Sequence, residues 1–277
     1  MHKISPYISI SGITTPDEVK LVTNSFKEAG YGINSYHQPT IGILICEKSL
    51  ADRETSAGLR YPALRDLEYI LMQSHNKINS SLALTFRDSD SLFDTTKKLF
   101  NSFPIGILCK RIQFNVVWPH YLPNHLRQLQ KIKERYHVID ILLRFGKEAM
   151  ETGENTNLNS ITNHILNYKD IVSGIVIDPS GGKGKLFDLE KAHTLKKNLN
   201  HSCKYINLCL AGGLKPSNIK NVLHDFIHST AEEDFSIDAL SGIRSQPHGK
   251  KATEYGEDIL DISKTKEFLN NASEILY

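Results

Sequence analysis

Short runs of β-branched and other apolar residues alternate with longer amphipathic runs from one end of the chain to the other. The short runs are Tyr7–Ser11, Ile41–Cys46, Leu82–Phe86, Ile112–Val117, Val138–Arg144, Val172–Asp178, Tyr205–Ala211 and Phe235–Leu240, and their length and composition predict strands. Helical spacing marks Asp17–Ala29, Tyr61–Ser74, Ser91–Phe103, Pro123–Tyr136, Ser160–Tyr168, Leu189–Leu199, Asn218–Ser229 and Ser263–Leu276. Strict alternation of the two is the pattern of a parallel sheet with crossover helices. Eight such units fit a closed (β/α)8 barrel better than an open sheet, which usually has fewer units and often an antiparallel edge. The chain therefore reads as α/β, a single TIM barrel domain over residues 1–277.

The first helix has a legible start. Thr15-Pro16-Asp17-Glu18 combines a capping hydroxyl, a proline at the first helical position and a glutamate three residues after the cap. Three polar stretches interrupt the rhythm: Tyr31–Thr40, Glu47–Arg60 and Lys147–Asn159. Glu47–Arg60 follows a strand, on the face where barrel enzymes keep their active sites, which makes it a candidate lid or a tolerated surface insertion.

Composition narrows the partners. The chain of 277 residues is 40% apolar and 23% charged, enough to bury a sizeable core without a disorder-like bias. A net charge of +2 is too small a surplus to spread a nucleic-acid-binding field over a protein of this size. No apolar run approaches the roughly 20 residues that span a bilayer, and residues Met1 to Gly12 lack a leader-like pattern, so no membrane partner and a cytoplasmic setting are expected. Cys46, Cys109, Cys203 and Cys209 form no C-x-x-C pair and are expected to be reduced. Oligomeric state is not legible.

Candidate chemistry concentrates late in the chain. Gly181-Gly182-Lys183-Gly184 follows Asp178 and the sixth strand, Gly212-Gly213 follows the seventh, and Ser241-Gly242 follows the eighth. Glycine after a strand lets the backbone approach a ligand and turn its N–H groups inward, and an anion then meets several donors beside a helix N-terminus. The loops after strands seven and eight are where barrels commonly hold phosphate. The expected guest is a phosphate group gripped by Gly182, Gly212, Gly213, Ser241 and Gly242, with Arg244 close by.

These residues resemble those of a known family. Asp178, then GGKGKLFD at Gly181–Asp188, LAGGLKPSNI at Leu210–Ile219 and Ile237-Asp238-Ala239-Leu240-Ser241-Gly242 look like the phosphoribosylanthranilate isomerases of tryptophan biosynthesis. Ser9-Ile10-Ser11-Gly12-Ile13-Thr14, Gly42–Ser49 and Arg60-Tyr61 agree with that family in outline. The resemblance implies the same barrel, a phosphorylated ribose derivative as ligand and an Amadori rearrangement, an aldose–ketose isomerisation that needs no metal or organic cofactor. By resemblance Asp178 is the acid that protonates the furanose oxygen, and Arg60 holds the anthranilate carboxylate. A carboxyl at the end of an apolar strand is also where desolvation would favour the protonated form; its plain alternative is a cap for the glycine loop.

The chain departs from the family at Ser11, where a cysteine base is expected, and a serine hydroxyl is far too weak an acid to supply an anion at neutral pH. Asn115 stands where the family has histidine, Lys183 replaces a small hydroxyl residue, and Leu240 replaces a serine. Cys46 or Glu47, at the end of the second strand, could replace the base if either points into the barrel mouth. Two other readings therefore stand beside an isomerase: a non-catalytic phosphoribosyl-binding barrel, and an enzyme for another sugar phosphate. His224 and His228, four apart, read as a solvated helix face more readily than a metal pair, His120, His125 and His248 show no ligand spacing, Trp118 is a candidate contact for an aromatic substrate ring or a packing cover, and Lys250-Lys251 is either solvated charge or a supplement to the phosphate field.

Overall fold

The computed structural model describes residues 3–85, 91–115, 122–147, 158–179, 184–247 and 257–276. Eight parallel strands close on themselves in sequence order: β1 Tyr7–Ser11, β2 Gln38–Cys46, β3 Asn79–Thr85, β4 Arg111–Asn115, β5 Asp140–Gly146, β6 Gly174–Asp178, β7 Asn207–Ala211 and β8 Ser236–Ala239. Closure comes from β8 pairing back on β1, with Ser9 beside Asp238. The helices that follow are α1 Pro16–Glu28, α2 Leu67–Ser74, α3 Leu92–Ser102, α4 Leu122–Arg135, α5 Leu158–Leu166, α6 Leu189–Cys203, α7 Ile219–Thr230 and α8 Ile262–Leu276.

The period-two alternation of each strand divides labour between two cores. Ile8 and Ile10 of β1, Ile41, Ile43 and Ile45 of β2, and Leu82 and Leu84 of β3 join the large apolar layer beneath the helices. Fully burying one such side chain is worth about 1.5–3 kcal/mol. The residues between them face the barrel axis. Low in the barrel, Ile4, Tyr7, Leu142, Val176 and Cys209 form a small separate cluster, which Ala211, level with Asp238, extends upward. There the buried Arg111 lies 4.5 Å from the Tyr7 ring centroid and donates to Thr40 Oγ1 at 3.1 Å. Above them the inward positions turn polar: Ser9, Ser11, Gln113, Asn115, Arg144, Asp178 and Asp238.

Element boundaries differ from expectation where inward residues are polar. β2 starts at Gln38, three residues before the expected Ile41, because Gln38 pairs with Tyr7 and its N–H donates to the Pro6 carbonyl at 2.8 Å. The helix expected from Tyr61 begins at Leu67 after a 3-10 turn at Leu64–Asp66, since Pro62 disfavours helical geometry before it. Two short helices, Glu47–Ala51 and Ile105–Leu108, and an antiparallel pair joining Arg244–Ser245 to Ile259–Leu260 went unmarked in the sequence.

The expected cap of α1 is present: the Glu18 N–H donates to Thr15 Oγ1 at 3.2 Å and the Thr15 N–H to Glu18 Oε2 at 3.3 Å. Val19, Val22 and Phe26 form its buried stripe. Thr15→Ala removes one half of the cap and is expected to cost about 1 kcal/mol, read as a fall of about 2–4 °C in melting temperature.

Candidate active site

Ser11 ends β1 and points into the mouth because Gly42 opposite it on β2 has no side chain. A Cβ on Gly42 would lie 2.0 Å from Ser11 Oγ, so any larger residue displaces the hydroxyl. Ser11 Oγ donates to Asp238 Oδ1 at 2.6 Å, with Ser9 Oγ 3.4 Å from Ser11 Oγ. Burial pushes the Asp238 carboxyl up to about 6, against the hydrogen bonds from Ser11 and Ser9; the charge of Asp178 adds to the rise and Arg144 opposes it. Asp238 was not singled out as a functional residue from sequence, although it alternates with the inward Ser236.

Asp178 ends β6 on the inner face, and its environment is polar: Arg144 Nε of β5 stands 3.4 Å from its Oδ2. An ion pair thus takes the place of the apolar enclosure expected around this carboxyl. Asn115 accepts from Gln113 Nε2 at 2.8 Å and donates to Thr85 Oγ1 at 3.1 Å, closing the wall between β3 and β5. Cys46 shares the inward side of β2 with Gly42, but its sulfur lies 3.6 Å from Ser49 Oγ in the short helix that follows. Glu47 opens that helix and is exposed. All four cysteines are free thiols.

The glycine loops interlock beside these carboxyls. Gly213 has φ +71°, and a Cβ there would sit 2.3 Å from the Leu186 nitrogen, so the loop after β7 packs backbone to backbone on the loop after β6. Asn218 ties the same loop, accepting from the Lys215 N–H and donating from Nδ2 to the Gly213 carbonyl, each at 2.9 Å. Gly242 lies against the Leu214 carbonyl in the 3-10 turn Ser241–Ile243. The N–H groups of Gly212, Gly213 and Gly242 have no hydrogen-bond partner among the described residues, and all three glycines are partly exposed. Gly182, Lys183, Trp118, His120, His248, Lys250 and Lys251 lie outside the described residues, as does most of the loop at 147–159.

Arg60 and Arg244 converge on one carboxylate that sequence reasoning missed. Arg60 Nε donates to Asp258 Oδ1 at 2.7 Å while its Nη2 takes Oδ2, and Arg60 Nη1 lies 3.3 Å from Ser241 Oγ. Arg244 Nε donates to the same Oδ1 at 2.8 Å, and its other nitrogens reach the carbonyls of Gly12, Leu59 and Asp258 at 3.0–3.1 Å. Burial alone would push the Asp258 carboxyl up, but the two guanidiniums hold it below the usual carboxylate range. Arg60 therefore sits over the turn after β8, and Arg244, expected near a phosphate by proximity, braces three loops. The stretch Glu47–Arg60, a candidate lid or a surface insertion by sequence, is pinned at its far end by these bonds.

Comparison with known proteins bears on the same residues. A family model described as N-(5'phosphoribosyl)anthranilate (PRA) isomerase matches residues 148–261. That stretch, less than half of the chain, holds Asp178 and the loops after β6, β7 and β8. One curated relative, the N-(5'-phosphoribosyl)anthranilate isomerase of Methanococcus aeolicus, is 30% identical over 98 residues, which is 35% of this chain and 43% of that one. The matched stretch thus spans less than half the relative's length. Solved phosphoribosyl anthranilate isomerases share the fold nearly end to end. That of Thermus thermophilus has a TM-score of 0.61 at 13% identity, covering 97% of this chain and 98% of its own. That of Thermotoga maritima has a TM-score of 0.60 at 18% identity, covering 97% and 99%.

His224 and His228 stack with centroids 6.2 Å apart on α7, and among the described residues no third ligand joins them. No helix among the described residues is long and apolar enough to cross a membrane. A raised carboxyl pKa in the folded state favours the protonated fold, so the stabilisation is complete below the unfolded value of about 4 and is lost as pH rises through about 6. Asp238→Asn is expected to flatten this part of the profile. Between pH 4 and pH 7 its unfolding free energy should gain about 2–3 kcal/mol on the parent, and parallel denaturation curves would refute the assignment.

Proposed function

We propose that the protein isomerises a phosphoribosylamine of the N-(5′-phosphoribosyl)anthranilate type by an Amadori rearrangement. The observation that carries the reading is the meeting, at one barrel mouth, of Asp178, the Ser11–Asp238 pair and N–H groups of the last two strand-to-helix loops that have no partner among the described residues. The phosphate is held by Gly212, Gly213, Ser241 and Gly242, with the N-terminus of α7 behind it. Arg60, over Ser241, offers substrate a guanidinium whose resident counter-ion is Asp258.

Asp178 supplies the proton that the furanose oxygen takes as its bond to C1′ breaks and the nitrogen lone pair forms the C1′=N bond. Arg144 stands beside Asp178, and its charge also reaches Asp238. The reaction is redox-neutral within one molecule, and its place is the cytoplasm, in keeping with four unpaired thiols.

Ser11 in the expected base position favours a second reading, a barrel that binds the phosphoribosyl group without turnover. Fluorescent N-(5′-phosphoribosyl)anthranilate separates the two. The isomerase consumes it, and Asp178→Asn lowers kcat/KM by about 10²–10⁴; binding without loss of fluorescence leaves the second reading standing. Gly213→Ala, which forces its loop off Leu186, is expected to abolish most of the melting-temperature rise given by ribose 5-phosphate. At a hundred times Kd that rise corresponds to about 2.7 kcal/mol in the parent.

A further inference from the structure

An isomerase of this kind needs a second proton-transfer group, one that takes hydrogen from C2′, and Ser11 cannot be it. The titratable groups facing the barrel axis can be sorted by environment. Burial pushes the Cys209 thiol and the Tyr7 hydroxyl well above their ordinary values, so both stay protonated low in the barrel. Cys46 is turned to Ser49 in the helix after β2. Arg111 is buried beneath the cluster, against Tyr7. Asp178 has been given the acid role. There remains Asp238, on the inner face of β8, held by a 2.6 Å hydrogen bond from Ser11 to a single carboxylate oxygen.

We propose that Asp238 is the general base of the reaction and that Ser11 is its positioning residue. The inference rests on the isomerase reading above. After ring opening, the Asp238 carboxylate takes the C2′ proton. The C2′–H electron pair becomes the C1′=C2′ bond, and the C1′=N π pair returns to nitrogen. The enolamine then takes a proton at C1′ from Asp238 while the C2′ hydroxyl loses its own proton, by way of solvent, to Asp178, leaving C2′=O. Both carboxyl groups end in their starting states, and no outside oxidant or reductant is needed.

The surroundings suit this work. Asp238 faces Ser9 and Ser11 of β1, Cys209 of β7, Asp178 of β6 and Arg144 of β5, with Tyr7 lower on β1. The two serine hydroxyls hold it against the rise that burial and Asp178 impose. It is thereby a stronger base than an ordinary surface carboxylate while still ionised at neutral pH. A thiol at position 11 is unnecessary when the hydroxyl there orients a carboxylate, and Gly42 keeps the space that this hydroxyl needs.

The experiment measures kcat/KM for N-(5′-phosphoribosyl)anthranilate against pH in the parent, Asp238→Asn and Ser11→Ala. Binding of the non-reacting alditol made by borohydride reduction of the product is followed in parallel by melting temperature. The parent's activity is expected to rise with pH through about 6. Asp238→Asn should lose that limb and at least about a hundredfold in kcat/KM while keeping the alditol-induced shift. Ser11→Ala should retain turnover with the limb moved to higher pH, since the lost hydrogen bond had favoured the carboxylate, a displacement that a merely structural role would not produce. Turnover of Asp238→Asn within tenfold of the parent, or an unmoved limb in Ser11→Ala, overturns the proposal. A parent that binds the alditol without turnover also overturns it but leaves the phosphoribosyl site intact, whereas a parent that does neither sinks the isomerase reading itself.

Discussion

A parallel strand in a closed barrel must satisfy two environments at once, and everything else in this protein follows from how it does so. One face of each strand has to be apolar enough to seat a helix; the other looks down the axis, where neighbouring strands bring side chains into contact regardless of polarity. Here the outward face carries the stabilisation, through Ile8, Ile10, Ile41, Ile43, Leu82 and their equivalents. With that need met, the inward face is released for chemistry. Its lower layer is closed by Tyr7, Arg111 and the small apolar cluster, and its upper layer is left to serines, amides, carboxylates and a guanidinium.

This division explains what could be read from the residues and what could not. Strand number, order and closure were legible because the outward residues alone produce the apolar runs, as at Tyr7–Ser11, where the expected and observed limits coincide. Boundaries slipped where inward residues are polar, as at Gln38, which extends β2 beyond its apolar stretch. The glycines of the last two loops were legible as a group, and the tight packing of Gly213 on Leu186 gives them a mechanical reason as well as a ligand-facing one.

The missed residues share a feature: each acts through a partner far away in the chain. Asp238 is an ordinary acidic residue until closure of the barrel brings Ser11 to it across 227 positions. Arg144 gains meaning only from its register with Val176, which sets it beside Asp178. Asp258 lies in the short connection before α8, where nothing nearby marks it, yet it receives both Arg60 and Arg244. Local pattern reports which face a residue takes, and the identity of its neighbour depends on how the sheet closes.

The Asp258 contact has a consequence for how the molecule is assembled. Arg60 comes from the second strand-to-helix unit and Asp258 lies 198 residues downstream, in the connection to the last helix. On a translating ribosome the first arginine emerges long before its counter-ion has been made, and a buried guanidinium without one is costly. The rim of the mouth therefore cannot set until nearly the whole chain has left the exit tunnel, and a nascent fragment ending before Asp258 holds both arginines without the carboxylate they share. The pocket is a late event in the protein's biogenesis, made by the closing of a ring whose first and last units must both be present.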